Sequence, residues 1–550
     1  MKELCKVILE DGREIEVESG TRLGEIIETY YKDREEEIMA CKVNYDLQEL
    51  GYKLHREVNK LELIDLNDKD GIRIYQRSLV FLFSRAVMEL YGSDDTIVDH
   101  SLSKGLYCEI RRELSEEDVR KIEEKMREIV ALDEPFVKHT VDTEEAIQKY
   151  LKWGLEDKAG LLGYREEETV NMYEFGGMKD YYFGYMVDRA GKLKTFALKP
   201  YGKGIILRHP NVYSNGEIPD FVEHKKLYKI HREAEDWAKI LGVSYIRNIN
   251  DLILSGGIGS KILTVEALHE KKIIQIADEI CKKNKKIILI AGPSSSGKTT
   301  FANRLKIQLA VNGLRPVTVS VDDYFVNRPL TPLDENGNYD FEHIDAIDRH
   351  LFNSDLKSLL AGKLTRMPKF DFKNGRRLDE YNSLQVDDDQ PIIIEGIHCL
   401  NPLFSEEIDE KFKFTIYISC LTQLNIDEHN RIPTTDSRLL RRMVRDNFHR
   451  GSDALRTLQL WPSVRRGEER NIFPFQESSD AQFNSATVYE LAALKPHVEP
   501  LLRAVPDGLP ETSEVKRLLK FLSYVVPIED ESIIPNTAII REFIGGNVFH

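Results

Sequence analysis

Hydrophobic positions change their period several times along the chain, and each change marks an element. Val7 and Leu9 alternate with polar residues up to Glu10-Asp11-Gly12-Arg13, and Ile15 and Val17 alternate after it, which predicts a β-hairpin. Leu23, Ile26 and Ile27 then take helical spacing, and Leu61, Leu63 and Asp65 return as a strand, so residues 1–67 read as a small β-rich unit. Residues 68–245 mix the two periods. Within them Ser115-Glu116-Glu117-Asp118 has the form of a capping box, and Val119, Ile122, Met126, Ile129 and Val130 hold one face of the helix it starts. Residues 246–284 carry Gly256-Gly257-Ile258-Gly259, read as a flexible joint, and a helix over 266–282 that packs on the domain after it.

From Ile287 onward the apolar runs become short and each ends in a glycine or a polar residue. Ile287 to Ala291 runs into Gly292. Val317, Val319 and Val321 run into Asp322-Asp323-Tyr324-Phe325, Ile392 to Ile394 into Glu395-Gly396, and Phe414, Ile416 and Ile418 into Ser419. Between the first two runs, Phe301, Leu305 and Leu309 recur every fourth residue until Asn312-Gly313. Strands and helices in alternation predict a doubly wound parallel sheet over residues 285–505, with ligands at the carboxyl ends of its strands. The tail 506–550 has a helical Leu518, Leu519, Leu522 stretch and an apolar end, Ile539 to Gly546, expected to dock as a strap or to form a subunit contact in a homo-oligomer.

Composition narrows the classes. The 550 residues have room for three or four domains, and 41% apolar with 31% charged residues suits several packed cores. A net charge of −16, from 77 basic and 93 acidic residues, argues against a broad nucleic-acid-coating surface but leaves room for a local basic groove. The six cysteines form no C-x-x-C pair, so neither structural zinc nor a disulfide framework is expected, and a reducing cytoplasm is the simplest setting. The N-terminus, Met1-Lys2-Glu3-Leu4-Cys5, lacks a signal-peptide core, and no membrane span is expected. His209, His224, His231 and His269 match no metal-ligand spacing and read as satisfied structural histidines.

The chemistry concentrates after Ala291. Gly292-Pro293-Ser294-Ser295-Ser296-Gly297-Lys298-Thr299-Thr300 is G-x-x-x-x-G-K-[ST] between a strand and a helix. In such a loop backbone N–H groups converge on phosphate oxygens, Lys298 reaches the β- and γ-phosphates, and Thr299 offers a hydroxyl to Mg²⁺. Asp322 and Glu395, at neighbouring strand ends, are expected to converge on the γ-phosphate. Arg438, Arg441, Arg442 and Arg445 stand at i, i+3, i+4 and i+7 on a helix started by Asp436 or Ser437. With few facing acids, they are expected to close over a polyphosphate as a lid, with Arg465 and Arg466 in the same mobile segment.

Two resemblances organise these features. The P-loop, the Asp322-Asp323-Tyr324-Phe325 strand end, Phe341-Glu342-His343-Ile344-Asp345, Pro368-Lys369-Phe370-Asp371-Phe372, Glu395-Gly396 and Thr435 to Asp446 occur in the order seen in the uridine kinase/phosphoribulokinase family, which they resemble. The resemblance implies ATP and Mg²⁺ as cofactors, Asp322 as general base, and Glu395 with Thr299 at the metal. It implies Lys298, Arg438 and Arg441 as catalytic cations, and Gly292, Ser294 to Thr300, Arg442 and Arg445 around the nucleotide. Phe325, Glu342, His343 and Phe370 would then line the acceptor site with Asp322. Glu342, Phe370 and Gly375 replace the aspartate, tyrosine and histidine with which pyrimidine nucleoside kinases hold ribose and base, so the base pocket is altered.

Residues 1–67 resemble a TGS domain, the β-grasp module of threonyl-tRNA synthetases and some regulatory GTPases. Residues 68–245 resemble the α+β editing domain of threonyl-tRNA synthetase. At the positions of that domain's His-x-x-x-His and Cys-x-x-x-His pairs stand Arg77, Phe81, Tyr182 and Met186, which implies a retained fold without the hydrolytic chemistry. The expected architecture is therefore an α/β multidomain chain, with a P-loop kinase domain preceded by the TGS-like and editing-like domains. The expected partner is a small-molecule substrate, a nucleoside or another hydroxylated metabolite. Nucleic acid would enter only through the TGS-like half, and the alternative is a regulatory or RNA-interacting NTP-binding protein.

Overall fold

The computed structural model describes residues 4–165, 167–334, 337, 339–371 and 374–549. Met1, Lys2 and Glu3 of the N-terminal reading and Phe372 of the Pro-Lys-Phe-Asp-Phe segment lie outside the described residues.

The predicted hairpin pairs Leu4–Ile8 with Glu14–Glu18, and Leu4–Ile8 pairs in parallel with Val58–Ile64 on its other side. Ala40–Val43 and Asp46–Gln48 complete a five-stranded sheet, and Leu23, Ile26 and Ile27 of helix Leu23–Tyr30 fill its core. Next come the 23-residue helix Lys69–Tyr91 and helix Glu116–Leu132, whose capping box between Ser115 and Asp118 is present as predicted. A three-stranded and a four-stranded antiparallel sheet accompany them. Phe81, Tyr182 and Met186 are buried in one apolar core with Phe136 and Phe175, the rings of Phe81 and Tyr182 lying 4.9 Å apart. Arg77 donates to the carbonyl of Tyr185. The four positions are thus three packing residues and a half-buried arginine.

Helix Ile258–Lys282 begins eight residues earlier than predicted, so Gly259 lies inside it. Gly256 (φ +77°) turns the chain between this helix and Ile246–Leu254, and the amide of Gly257 closes onto Leu252, so the expected flexible joint is a hydrogen-bonded helix connection.

A five-stranded parallel sheet follows, in the order Val317–Ser320, Ile392–Glu395, Ile287–Ala291, Lys413–Ser419, Ala481–Asn484. The alternation of side chains splits the central strand between two cores. Ile287, Leu289 and Ala291 pack with Phe352, Leu356 and Leu359, while Ile288 and Ile290 pack with Phe301, Leu305 and Leu309. Helices therefore cover both faces, as a sheet of uniformly apolar strands requires. Val321 leaves its predicted strand and starts a 3-10 turn, Val321–Tyr324, which carries Asp322 and Asp323. The tail docks within the chain: Ile539, Ile540 and Phe543 are fully buried in the core that holds the P-loop helix. Among the described residues, no helix is long and apolar enough to cross a membrane.

Candidate functional site

The P-loop leaves the central strand and enters helix Lys298–Val311. Two glycines make its path feasible. A Cβ on Gly292 would lie 2.3 Å from the carbonyl oxygen of Ile418 on the next strand, and Gly297 holds φ +79° at the helix N-cap. Lys298 folds back and donates to the carbonyls of Gly292 and Pro293 at 3.0 and 3.2 Å. The Thr299 hydroxyl donates to both carboxylate oxygens of Glu395, at 2.9 and 3.2 Å, joining the strand end to the loop as predicted.

The site charges are held toward their neutral forms. Burial raises the carboxyl of Glu395, against Lys298 and the Thr299 hydroxyl. Asp322 is exposed and lines neither cavity described below, but the protein crowded around it raises its carboxyl too, again opposed by Lys298. Burial lowers Lys298, with Glu395 and Glu542 pulling the other way. Glu342 is pushed up to about 7 by burial and by Glu468, against Arg442 and Lys298. Lys298 thus shares one electrostatic neighbourhood with Asp322, Glu342 and Glu395. The hydroxyl and carboxylate of Thr299 and Glu395 are hard oxygen donors beside a phosphate loop, a set that fits Mg²⁺.

The arginines are arranged differently from the expected lid. Their helix is Thr434–Arg450, beginning before Asp436, which instead accepts from Arg517. Arg438 donates to Ser294 O at 3.0 Å and pairs with buried Glu468. Arg441 pairs with Glu490 at 2.5 Å and donates to the Ser485 carbonyl at 3.1 Å. Both are almost wholly inaccessible. Arg442 donates to Ser294 Oγ at 2.7 Å, and Arg445 pairs with Asp446. Arg465 pairs with Glu468 and Glu469. Acids distant in sequence, Glu468 and Glu490, neutralise Arg438 and Arg441, and Asp446 on the same helix pairs with Arg442 and Arg445, so the cluster braces the P-loop from behind. The hydroxyls of Ser295 and Ser296 and Arg441 Nε stay buried without a hydrogen-bond partner.

Phe325 and Phe370, expected around the acceptor, and Gly375 line a cavity of about 240 Å³ with Val326, Arg328 and Phe341. The rings of Phe325 and Phe370 are 5.8 Å apart. A second cavity, about 280 Å³, reaches Thr299, Glu395, Asp323 and Tyr324. Glu342 lies against Gly467, outside both linings. His343 also departs from its expected place: its Nδ1 accepts from the amide of Asp345 and caps the turn Ile344–Ala346.

Sequence reasoning missed Glu542. Its Oε2 accepts from the amide and the hydroxyl of Thr300 at 3.1 and 2.9 Å, while Asn547 donates to the same hydroxyl at 2.9 Å and Ile539 lies over Gly297. A carboxylate thus occupies amide donors at the N-terminus of the phosphate-loop helix. Nothing in Arg541-Glu542-Phe543 signals a contact across 242 residues.

A parallel sheet whose central strand feeds a phosphate loop, with a strand-end acid on the loop threonine, defines a P-loop nucleotide-binding domain. Residues 287–492 match the phosphoribulokinase/uridine kinase family, and this region is a kinase domain of that type. The N-terminal region is homologous to threonyl-tRNA synthetase. The threonine–tRNA ligase of Maridesulfovibrio salexigens is 28% identical over 190 residues, covering 34% of this chain and 30% of the relative. That of Aquifex aeolicus is 32% identical over 194 residues, with 34% and 30% covered. The chain therefore spans about 30% of the length of the curated relatives it matches. Among solved structures, a possible uridine kinase from Bacillus stearothermophilus is 20% identical with a TM-score of 0.26, covering 38% of this chain and 97% of that one. The D-glycerate 3-kinase of Cryptococcus neoformans is 13% identical with a TM-score of 0.27, covering 36% and 87%.

Proposed function

We propose that the chain transfers the γ-phosphoryl group of Mg²⁺-ATP to a hydroxyl of a small molecule, a nucleoside in the first instance. The observation that carries this reading is the common neighbourhood of Asp322, Glu395 and Lys298 around the P-loop. Asp322, as carboxylate, accepts the proton of the acceptor hydroxyl while its oxygen bonds to the γ-phosphorus and the bond to the β-phosphate oxygen breaks. Lys298 leaves the carbonyls of Gly292 and Pro293 for the phosphates. Thr299 and Glu395 hold the magnesium, which neutralises phosphate charge when bound. The cavity of Phe325, Phe341 and Phe370 suits a flat apolar group by stacking rather than hydrogen-bond readout, in keeping with the altered base pocket. Glu542 now holds the Thr300 donors that the nucleotide phosphates would otherwise take.

The N-terminal modules are assigned on resemblance: a TGS-like β-grasp unit over 1–67, an editing-type domain without editing chemistry over 68–245, a linker over 246–284, the kinase domain over 285–505 and a strap over 506–550. A second reading, an RNA-sensing nucleotide switch, draws on the threonyl-tRNA synthetase homology and on the carboxylate docked at Thr300. Asp322 separates the two readings, since a switch needs no base for an alcohol. The test is Mg²⁺-ATP turnover against nucleosides, sugars and polyols, with Asp322→Ala as control. An acceptor-dependent rate lost in the variant supports the kinase. Turnover that responds to tRNA and to no hydroxylated compound supports the switch.

A further inference from the structure

Strand Thr96–Leu102 and helix Lys225–Leu241 bring a second group of titratable side chains together, remote in sequence from the P-loop. The strand's register shifts between Val98 and His100, leaving Asp99 as the extra residue of a bulge. The helix puts His231 and Glu235 one turn apart on one face. One carboxylate oxygen each from Asp99 and Glu235 and a ring nitrogen of His100 lie within 4.8 Å of one another. Among the described residues this is the only group of three such side chains to meet that closely.

Two further observations set it apart from a charged surface. His100 is 6% exposed, stacks on His231 with ring centroids 3.5 Å apart, and its Nε2 has no hydrogen-bond partner. Glu235 Oε1 and His231 Nε2 are likewise buried and unpartnered, so the histidine expected to be satisfied is not. The charges also fail to balance. Arg232 pairs with both Glu109 (2.8 Å) and Glu235 (2.5 Å), so two of the three carboxylates Asp99, Glu109 and Glu235 share one arginine, and a second cation, Arg431, acts on the His100 and His231 side of the cluster. Lys239 is turned to Asp236 at the surface. Buried unpaired donors and acceptors with surplus negative charge are what a bound cation would resolve.

We infer that Asp99, His100 and Glu235 bind a divalent transition-metal cation of the zinc class. Imidazole with two carboxylates is a ligand set zinc accepts, whereas magnesium and calcium prefer oxygen alone. Three protein ligands leave one tetrahedral position for water. Its place suggests a structural consequence. Asn425 donates to the carbonyls of Val98 and Asp99 at 3.0 Å each, and the amide of Val98 donates to Glu428 O at 2.8 Å. A metal on the bulge would fasten the strand that holds segment 425–428, which leads into the arginine helix behind the P-loop.

The competing occupant is the proton, because burial raises Asp99 to about 6 and Glu235 to about 8. The full chain, stripped of metal, is titrated by calorimetry with Zn²⁺ alone and, separately, with Mg²⁺ and with Ca²⁺. Co²⁺ is added in a parallel experiment to read visible absorption from a nitrogen- and oxygen-ligated ion. Wild type is expected to bind one Zn²⁺ with a rise in Tm, and Asp99→Asn and Glu235→Gln each to weaken that binding roughly 100-fold or more. Both replacements keep side-chain shape and remove charge, so the stripped Asp99→Asn protein is expected to melt no lower than stripped wild type. Zinc binding absent from wild type, or equal in wild type and both variants, would mean that the cluster holds protons only and would overturn the inference.

Discussion

The P-loop cleft and the joint around His429 both bury charged side chains, and they treat them in opposite ways. At the joint, Lys158 donates to Asp180 at 2.7 Å, Tyr150 to the same carboxylate at 3.2 Å, and His429 bridges Asp180 (2.6 Å) to Thr96 (3.1 Å) and Asp94. Against burial and Lys158, the carboxylates of Asp94 and Asp180 hold His429 up to about 10. Burial pushes Asp180 up, yet Lys158 and His429 keep it well below the usual carboxylate range. The joint therefore favours charged forms. Asp427, held by Asn430, and the Tyr150 phenol are raised by burial. In the cleft, Asp322, Glu342 and Glu395 are raised and Lys298 is lowered, so every member leans toward neutrality. A paired network is complete within the chain. Perturbed groups gathered in a cleft beside a phosphate loop mark a candidate site for a charged ligand.

The largest effect that tests this contrast lies in the cleft. Asp322→Asn is expected to lower kcat by roughly 10²–10⁴ while leaving Tm within about 1 °C, because among the described residues the side chain has no structural partner whose loss would matter. The raised carboxyl also sets a pH dependence. The base works as carboxylate, so kcat/KM rises with pH through a value above the ordinary aspartate range. In Asp322→Asn that rising limb is expected to vanish from the residual rate. An unchanged limb would assign it elsewhere, first to Glu342.

Stability is the readout at the joint. His429→Ala leaves Asp94 without its cation, and the expected loss is about 3 kcal/mol, measured by denaturant unfolding. The sign with pH follows from the raised value. A histidine that titrates near 6.5 unfolded and about 10 folded gives its full stabilisation below about 6.5 and loses it as pH rises through about 10. The gap between wild type and His429→Ala is therefore widest at pH 6 and narrows toward pH 10. A gap independent of pH would show that His429 acts by packing alone.

What was legible in the sequence was local or periodic. The strand, loop and helix around Gly292–Thr300 and the capping box at Ser115 follow from patterns within a few residues, while the joining of Thr299 to Glu395 is what the family resemblance implied. What was not legible depends on partners far along the chain. The arginine helix looked like a lid because Glu468 and Glu490 lie 30 and 49 residues from the arginines they neutralise. The bulge at Asp99 and the helix bearing Glu235 carry no shared signal. His343 sits in a motif but spends its ring nitrogen on a turn. Charge pairing across long separations leaves no period to read.

Glu542 belongs to both regions of the comparison, since it is a hydrogen-bonded carboxylate placed inside the cleft. It satisfies the amide and hydroxyl of Thr300 and raises Lys298, work that a nucleotide phosphate would otherwise do. If the contact competes with the nucleotide, Glu542→Gln keeps a hydrogen-bond acceptor but removes the charge. ATP should then bind about two- to fivefold more tightly, the range expected of one charge at a helix N-terminus. Salt would reduce the difference, because the surviving terms are less electrostatic. If instead the carboxylate orders the loop for binding, the same variant binds ATP more weakly, and the strap is a support rather than a competitor. Equilibrium titration with a non-hydrolysable ATP analogue at two ionic strengths distinguishes the two, independently of which acceptor the cleft takes.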